Sequence, residues 1–244
     1  MKVLNPTVTV MLASHMKPAW LPSTLDSVLH QTRRDIEVIV ADSAEWCGPN
    51  PNTAPLTRQE MWDTSGQYSR HPLVTWVTLD QRWPTPLIDR ACPYAYVWNR
   101  VIEAGLVRGK YVAVFTDDDL YQPTFIEKMA GYLDAHGVGA VYCAQDQIRY
   151  VNEHEPWAPV RTLDADKPRI AGQFDGQVDM TQVMFRRSVI EWLPQPVFNE
   201  DPPDAVCRHA DGVFLEKLVG IAGVVPNIPD VLVTHRYTPD STYN

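Results

Sequence analysis

Cysteine is scarce in this chain, with four residues among 244, and none stands in a CxxC or Cys/His metal-binding spacing. The four positions are Cys47, Cys92, Cys143 and Cys207. Thiols this far apart argue against the common zinc patterns. They indicate reduced cysteines that pack as small apolar groups.

Long apolar runs and long basic runs are also missing. No run of about 18 apolar residues is present, and no basic segment leads into an apolar stretch at the start, which argues against a spanning helix and a secretory signal. We therefore expect a soluble cytoplasmic protein. The net charge is −9 and no Lys/Arg run exceeds two residues, so a broad face that follows the phosphates of a nucleic acid is not expected.

Glycine-rich phosphate loops are absent, because neither GxGxxG nor GxxxxGK[ST] occurs. The loop with regularly spaced oxygen ligands that defines an EF-hand is absent as well. A phosphate-bearing ligand would therefore have to be held by a metal ion and by side chains.

What the sequence does contain is an alternation of strands and helices. Residues 7–14 and 36–44 are strand-like, and an amphipathic segment beginning at Leu21 lies between them. A strand, helix and strand within about forty residues predict a parallel βαβ unit. Further strands are predicted at 73–80 and 111–115, and the fold class is therefore α/β.

The rest of the chain continues this pattern with two interruptions. A helix that ends at Gly137 is followed by a strand, and the final third indicates a strand, two helices and a strand. Residues 45–70 are predicted to form a long loop with one short helical turn, and the Pro- and Asp-rich residues 152–176 an irregular excursion. We expect one domain over residues 1–244.

The stretch VFTDDDLYQP places Asp117, Asp118 and Asp119 directly after a buried strand. Ligands of open α/β sheets bind outside the carboxyl ends of the strands, and Asp42 follows the second strand at the same edge. In an extended chain Asp117 and Asp119 would share one side while Asp118 points away. Two such carboxylates favour Mg²⁺ or Mn²⁺ together with phosphate oxygens. The alternative is a solvated turn that caps the next helix.

Two longer segments resemble a known family. Residues 7–44 are similar to the opening of family 2 glycosyltransferases, which are inverting nucleotide-sugar enzymes with the GT-A fold. Residues 94–135 resemble the block in which an Asn-led helix, a Gly and an apolar strand lead into the DXD signature, and 177–238 match more loosely. The resemblance implies a Rossmann-like, mostly parallel twisted sheet flanked by helices, with a small acceptor-side subregion near the C-terminus. It also implies a nucleotide-sugar-binding half at 1–120 and an acceptor-binding half at 121–244.

The resemblance implies roles for individual residues. The loop after the first strand would line the nucleotide base, Asp42 would accept a hydrogen bond from it, Asp119 would bind the metal, and a His or Arg near the end would reach the metal and diphosphate. The implied donor-binding residues are Ala13, Ser14, His15, Asp42, Asn99, Arg100, Asp117, Asp118 and Arg236. The implied ligands of Mn²⁺ or Mg²⁺ are Asp119, Asp117 and His235.

An inverting transfer needs one further group, a carboxylate that takes the proton of the acceptor. By the resemblance this base is Asp211, with Glu200 and Asp201 as the next candidates. The alternative role of Asp211 is to cap a helix. A UDP-sugar is the favoured donor, whereas the acceptor stays open among a glycan, a protein, a small molecule and a modified DNA base. For the last of these, the candidate cations are Arg33, Arg34, Arg186 and Arg187.

Two other functions compete with glycosyl transfer. A nucleotidyltransferase has a related sheet and Asp-bound Mg²⁺, but it carries a Gly-rich loop with a basic residue after the first strand, and that loop is absent here. A non-catalytic nucleotide-sugar-binding module would have lost turnover, yet Asp42, Asp119 and Asp211 occur together.

Overall fold

The computed structural model describes residues 5–14, 17–43, 58–79, 93–152, 154–173, 177–198 and 210–238. The strands in these ranges are β1 (Val8–Ser14), β2 (Ile36–Asp42), β3 (Val74–Thr78), β4 (Tyr111–Thr116), β5 (Leu120–Tyr121), β6 (Ala140–Asn152), β7 (Glu155–Leu163), β8 (Val183–Arg186) and β9 (Asn227–Tyr237). The helices are α1 (Leu21–Leu29), α2 (Arg58–Tyr68), α3 (Pro93–Glu103), α4 (Phe125–His136), α5 (Arg187–Ile190) and α6 (Ala210–Ala222), and a 3₁₀ turn covers Met180–Gln182.

All the described strands belong to one sheet, in the order β3-β2-β1-β4-β8-β6-β9-β5, with β7 paired to β6. The first four strands of this order are parallel, as the predicted βαβ pattern requires. Beyond them β8 is antiparallel to both β4 and β6, whereas β6 and β9 run parallel. The predicted α/β class is confirmed, and the sheet is parallel on the side that carries β1, β2 and β4.

Helices cover both faces of the sheet, and for this reason β1 and β2 are buried along their whole length. Successive residues point to opposite faces. Val10 packs in a core with Leu25 of α1 and Phe125 of α4, whereas Met11 packs in a second core with Trp98 of α3 and Phe214 of α6. The continuous apolar runs that predicted these strands therefore reflect burial on two sides.

The parallel strands end together at one edge of the sheet, which we call the carboxyl edge. In the strand register Ser14 lies beside Asp42, Asp42 beside Thr78, and Ala13 beside Thr116. The opposite side, where β1, β2 and β4 begin, is called the amino edge. The three aspartates that follow β4 are thereby placed at the carboxyl edge next to the ends of β1 and β2.

Two segments that were predicted to be loops contain regular secondary structure. Residues 58–68 form an eleven-residue helix, α2, where a single helical turn was expected. Residues 155–163 form β7, which pairs with β6 as a long hairpin inside the segment predicted to be irregular. Two prolines, Pro156 and Pro159, broke the expected alternation, yet the register shifts of this outer strand accommodate both. The predicted end of α4 at Gly137 is confirmed, with a left-handed φ of 68°.

Within the described ranges, no helix has the length and apolar character that crossing a bilayer requires.

Replacing Gly109 with Ala is expected to destabilise the fold. A Cβ at this position would press on the backbone nitrogen of Thr9 and lie 2.7 Å from the carbonyl carbon of Val8. The Gly109 N–H also donates to Thr9 Oγ1 over 2.7 Å. The segment around Gly109 and strand β1 would have to move apart. We expect this to lower the free energy of unfolding by about 1–3 kcal/mol or more. Urea unfolding measures this change in the free energy of unfolding.

Gly131 provides the matched control, because it lies inside α4 and a Cβ added there would meet nothing within 4 Å. Gly131→Ala is expected to raise the free energy of unfolding by about 0.5–1 kcal/mol, since Ala loses less backbone entropy in a helix. Equal effects of the two substitutions would contradict the close approach of Gly109 to β1.

Candidate active site

Asp119 is the most deeply buried of the three aspartates and faces β9. Its side chain is 0% exposed. The Oδ1 atom contacts His235 Nδ1 at 2.9 Å and accepts a hydrogen bond from the Arg236 backbone N–H at 3.3 Å. The Oδ2 atom is buried with no hydrogen-bond partner among the described residues. A buried carboxylate oxygen without a donor is unusual, and such an oxygen is open to a water molecule, an ion or a ligand.

The charges around Asp119 are coupled to one another. Burial by itself raises the pKa of Asp119, but the positive charge of His235 and its hydrogen bond outweigh burial and leave that pKa lowered. Burial lowers the pKa of His235, and the attraction of Asp119 overcomes this and raises it to about 10. Asp179 lies near both groups, and burial raises its pKa. These shifts favour the charged form of His235 at neutral pH.

Lys17 supplies a second cation, to Asp117 and Asp118. Its ammonium forms a short ion pair with Asp118 Oδ2 and lies 3.9 Å from Asp117 Oδ1. Burial lowers the pKa of Lys17, and the aspartates more than compensate and raise it above its ordinary value. The predicted arrangement, with Asp118 alone on one side, is wrong because the chain bends at 117 and 118 before β5. Asp117 and Asp118 share Lys17, and Asp119 faces His235.

Arg236 lies next to His235 on β9 and is 0% exposed. Its guanidinium donates to the carbonyl of Asp118, to Ser23 Oγ at 2.8 Å and to Thr24 Oγ1 at 3.0 Å. It also lies over the ring of Trp20, 4.9 Å from its centroid. The predicted phosphate contact of Arg236 is thus replaced, in this structure, by contacts that tie α1 to the aspartates and β9.

A chain of polar side chains leads from Asp179 into the β6–β7 hairpin. Asp179 Oδ1 accepts from Thr181 Oγ1 at 2.7 Å, and Gln145 donates to the same hydroxyl at 3.0 Å. Gln147 donates to Gln145 at 3.1 Å and accepts from Arg161 at 2.8 Å. The candidate site therefore continues from the carboxyl edge onto the hairpin.

The predicted residues of α3 lie elsewhere. Asn99 is 2% exposed, and its amide exchanges two hydrogen bonds with the backbone of Phe198, at 2.9 and 3.0 Å. Arg100, in the last turn of α3, pairs with Glu103 at 2.7 Å and lies over the ring of Tyr96. These contacts hold α3 and its neighbours, and they do not bring either side chain to Asp119.

Several predicted residues fall outside the described part of the chain. His15, Glu200 and Asp201 lie in ranges that the structure does not describe. Asp211 belongs to the first turn of α6, although its side chain is not described. Helix α6 contacts the 3₁₀ turn that follows Asp179, and the backbone of Asp211 therefore belongs to an element near the site.

The arginines that were candidates for a nucleobase acceptor lie at the amino edge. Arg33 pairs with Asp35 at 2.8 Å, and Arg34 donates to the Leu29 carbonyl, both just before β2 begins. Arg186 ends β8 beside Tyr111, the first residue of β4. The prediction that these residues serve an acceptor at the transfer site is not supported by this placement, because the aspartates are at the opposite edge.

The role of Lys17 was not predicted from the sequence, and within the looser family match at 177–238 Asp179 was expected only to contact the donor sugar or the acceptor. Lys17 follows β1 by three residues, and its position beyond the carboxyl end of a parallel strand is the signal that it could reach the aspartates. No signal in the sequence pairs Asp179 with a site so much earlier in the chain.

Two solved structures, TarS of S. aureus and a mannosyltransferase, share this α/β fold. The structure of TarS residues 1–349 from S. aureus in complex with UDP-GlcNAc superposes with a TM-score of 0.64 at 13% identity, over 97% of this chain and 58% of that chain. The mannosyltransferase PcManGT from Pyrobaculum calidifontis, in complex with GDP-Man and Mn²⁺, gives a TM-score of 0.59 at 18% identity, over 95% of this chain and 57% of that one. At these identities the likeness concerns the fold.

The family follows from the sequence match. The family model described as glycosyl transferase family 2 matches residues 63–193, which is more than half of the chain. The chain belongs to glycosyl transferase family 2. Protein CgeD of Bacillus subtilis (strain 168) is 26% identical over 245 residues, which cover 99% of this chain and 52% of that protein. The chain thus spans about half the length of this relative.

Proposed function

We propose that the chain transfers a sugar from a nucleotide-sugar donor to an acceptor hydroxyl, in a single displacement that inverts the anomeric carbon. Membership of family 2 supports the reaction class. The proposal rests on Asp119 Oδ2, which is buried and has no hydrogen-bond donor among the described residues. This atom lies at the carboxyl edge of the sheet, where ligands of α/β sheets bind. UDP-sugars are the favoured donors, since TarS of similar fold is in complex with UDP-GlcNAc.

We place the nucleotide at the ends of β1 and β2. Ser14 and Asp42 lie side by side in the register and are 1% and 5% exposed, and Ala13 lies next to Ser14 on β1, paired with β4. The hydroxyl oxygen of Ser14 has no hydrogen-bond partner among the described residues. Asp42 is proposed to accept the N–H of the base, and Asp117 to approach the ribose or diphosphate. His15, which lies outside the described residues, is proposed to line the base as well.

The residues fit a divalent cation in part. Within the described ranges, no three Asp, Glu, His or Cys side chains stand together as a complete ligand set. Mg²⁺ and Mn²⁺ nevertheless bind through one or two carboxylates plus substrate phosphates, and Asp119 Oδ2 is such an oxygen. We propose Asp119 as the principal ligand, with Asp117 as a second; His235 can join them only as a neutral imidazole, after it loses its proton. A bound cation would neutralise the departing diphosphate.

The protein's own cations contribute to the same neutralisation. Lys17 is 17% exposed at the side chain and is held between Asp117 and Asp118. A diphosphate that arrives beside these acids would meet a permanently charged ammonium. We propose that Lys17 orients the diphosphate, and that His235 holds Asp119 with Oδ2 facing the donor.

Asp211 is proposed as the base that takes the proton from the acceptor hydroxyl. An inverting displacement needs a carboxylate on the face of the sugar opposite the leaving diphosphate. The first turn of α6 carries Asp211, and α6 contacts the 3₁₀ turn after Asp179. We place the acceptor on the 121–244 side, where the β6–β7 hairpin presents Trp157, 66% exposed, with Arg149 5.6 Å from its ring centroid. Such a ring can stack on a sugar.

The donor is tested by thermal shift with intact nucleotide sugars, with Mn²⁺, with Mg²⁺ and with EDTA, followed by an assay of donor hydrolysis. We expect one nucleotide sugar to raise the Tm with Mn²⁺ or Mg²⁺, because a ligand that binds only the folded state stabilises it, and to lose its sugar slowly to water. A Tm shift with no release of the nucleoside diphosphate, in the presence of varied acceptors, would favour the binding module. Release of pyrophosphate from a nucleoside triphosphate would favour the nucleotidyltransferase.

A further inference from the structure

A second candidate site lies at the amino edge of the sheet. A cavity of about 450 Å³ opens there, and its lining includes Arg108, Lys110, Arg186, Arg187, Ser188 and Asn5. No Asp or Glu is among the described residues that line it. Four cations around one cavity are unexpected in a chain whose net charge is −9.

The cavity is separate from the candidate active site. Lys110 directly precedes β4, and Arg186, at the end of β8, pairs with Tyr111 at the start of β4. The aspartates follow the other end of this six-residue strand. With a rise of about 3.3 Å per residue, roughly 20 Å separates the cavity from the aspartates. A ligand in the cavity therefore cannot touch a donor at Asp119.

The carboxylates nearby neutralise only part of this charge. Arg108 pairs with Glu37, through Nε at 2.7 Å, and Lys110 pairs with Asp134 at 2.5 Å. Arg186 donates to two uncharged carbonyls at the end of α4, those of Leu133 and Val138, at 2.7 Å each.

Arg187 is exposed, as Arg108 and Lys110 are. Within the described part of the chain its guanidinium has no hydrogen-bond or ion-pair partner. Four cations faced by two carboxylates leave an excess of two positive charges at the cavity. Like charges held together without a counter-ion repel one another, and a bound anion would relieve that repulsion.

The excess charge and the volume define the ligand class. A phosphate monoester carries about two negative charges near neutral pH, which matches the excess, and a diphosphate carries about one more. The planar fork of Arg187 suits phosphate oxygens, and the Ser188 hydroxyl adds a neutral donor. A volume of about 450 Å³ lies within the range of small-ligand sites.

We propose that the cavity at the amino edge binds a small phosphorylated anion, a phosphate monoester or a diphosphate, independently of the donor site. Arg187 supplies the principal uncompensated charge, and Lys110 and Ser188 complete the contacts. Arg186 holds its position through the carbonyls of α4.

The test is calorimetric titration of the full chain with inorganic pyrophosphate in EDTA, which removes the divalent ions that the donor site is proposed to need. Arg187→Glu is the test variant, because the side chain is exposed and makes no hydrogen bond or ion pair among the described residues. Arg70→Glu is the matched control, since it reverses an exposed arginine beyond α2 and changes the net charge equally. Inorganic phosphate, glucose 1-phosphate and AMP, titrated in the same way, separate free phosphate from phosphate esters.

We expect pyrophosphate to bind the wild-type chain and the Arg70→Glu variant alike, and Arg187→Glu to weaken binding at least about tenfold. Added salt should weaken binding as well. Equal binding by all three proteins, equal weakening in both variants or no binding by the wild type would overturn the proposal. Donor hydrolysis by Arg187→Glu should equal that of the wild type. Pyrophosphate binding therefore tests the amino-edge cavity, and donor hydrolysis separately tests the proposed sugar transfer.

Discussion

Asp119→Asn is expected to lower donor turnover by about 10²–10³-fold, the loss typical of removing one group that stabilises charge in a transition state. Asn has the shape of Asp and can accept the hydrogen bonds that His235 and the Arg236 N–H now give to Oδ1. Its amide nitrogen would stand where Oδ2 is now, and that nitrogen cannot bind a cation. The measurements are kcat for donor hydrolysis and the Mn²⁺-dependent rise in Tm, and both should fall together.

Asp230→Asn is the matched control for this experiment. Asp230 lies on β9, as His235 does, but it forms an exposed pair with Lys128 in which both side chains are nearly half exposed. Such a pair contributes about 0–1 kcal/mol, and its loss should leave turnover unchanged. Wild-type turnover in Asp119→Asn, with Asp230→Asn also unchanged, would remove the proposed donor site from the carboxyl edge.

Arg236→Met is expected to lower the free energy of unfolding by about 3–5 kcal/mol, the cost of breaking a buried charged network on one side. Met fills a similar volume but cannot donate to the Asp118 carbonyl or to the hydroxyls of Ser23 and Thr24. For a domain of this size, the change corresponds to a fall in Tm of roughly 6–20 °C. Chemical unfolding followed by circular dichroism measures it.

Arg70→Met is the control for stability, because Arg70 is exposed and its substitution should stay within about 0.5 kcal/mol of the wild type. Arg236→Lys serves as an intermediate variant, since it keeps the charge and loses the planar fork. If Arg236→Met unfolds at the same denaturant concentration as Arg70→Met, the guanidinium does not hold α1 against the aspartates.

The parts of the fold that sequence patterns predicted are those decided by local burial. The strand β1 and the helix α1 were predicted because a strand covered on both faces is apolar throughout and a surface helix is apolar on one side. The strand β7 was missed because its outward residues and prolines are tolerated only by pairing with β6. That pairing is a tertiary contact without a local signature.

The candidate site shows the same division. The acids Asp42 and Asp119 were predicted from their positions after strands, and the structure brings both to the carboxyl edge. The partners of the cations were not predictable, because Lys17 reaches Asp118 across 101 positions and Arg236 reaches it across 118. Arg236 was expected at the diphosphate. In the structure its guanidinium instead donates to the Asp118 carbonyl and to the hydroxyls of Ser23 and Thr24 on α1.

The antiparallel pairing of β5 with β9 has a consequence for the order of assembly. Leu120 and Tyr121 lie against Thr234 and Val233, so the last described strand fixes the segment just after the aspartates. During synthesis on the ribosome, the first four parallel strands emerge well before β9 does. Until β9 docks, Asp119 lacks His235 and must stay hydrated. The candidate active site is therefore complete only after a pairing between residues more than 100 positions apart, which requires a long loop to close.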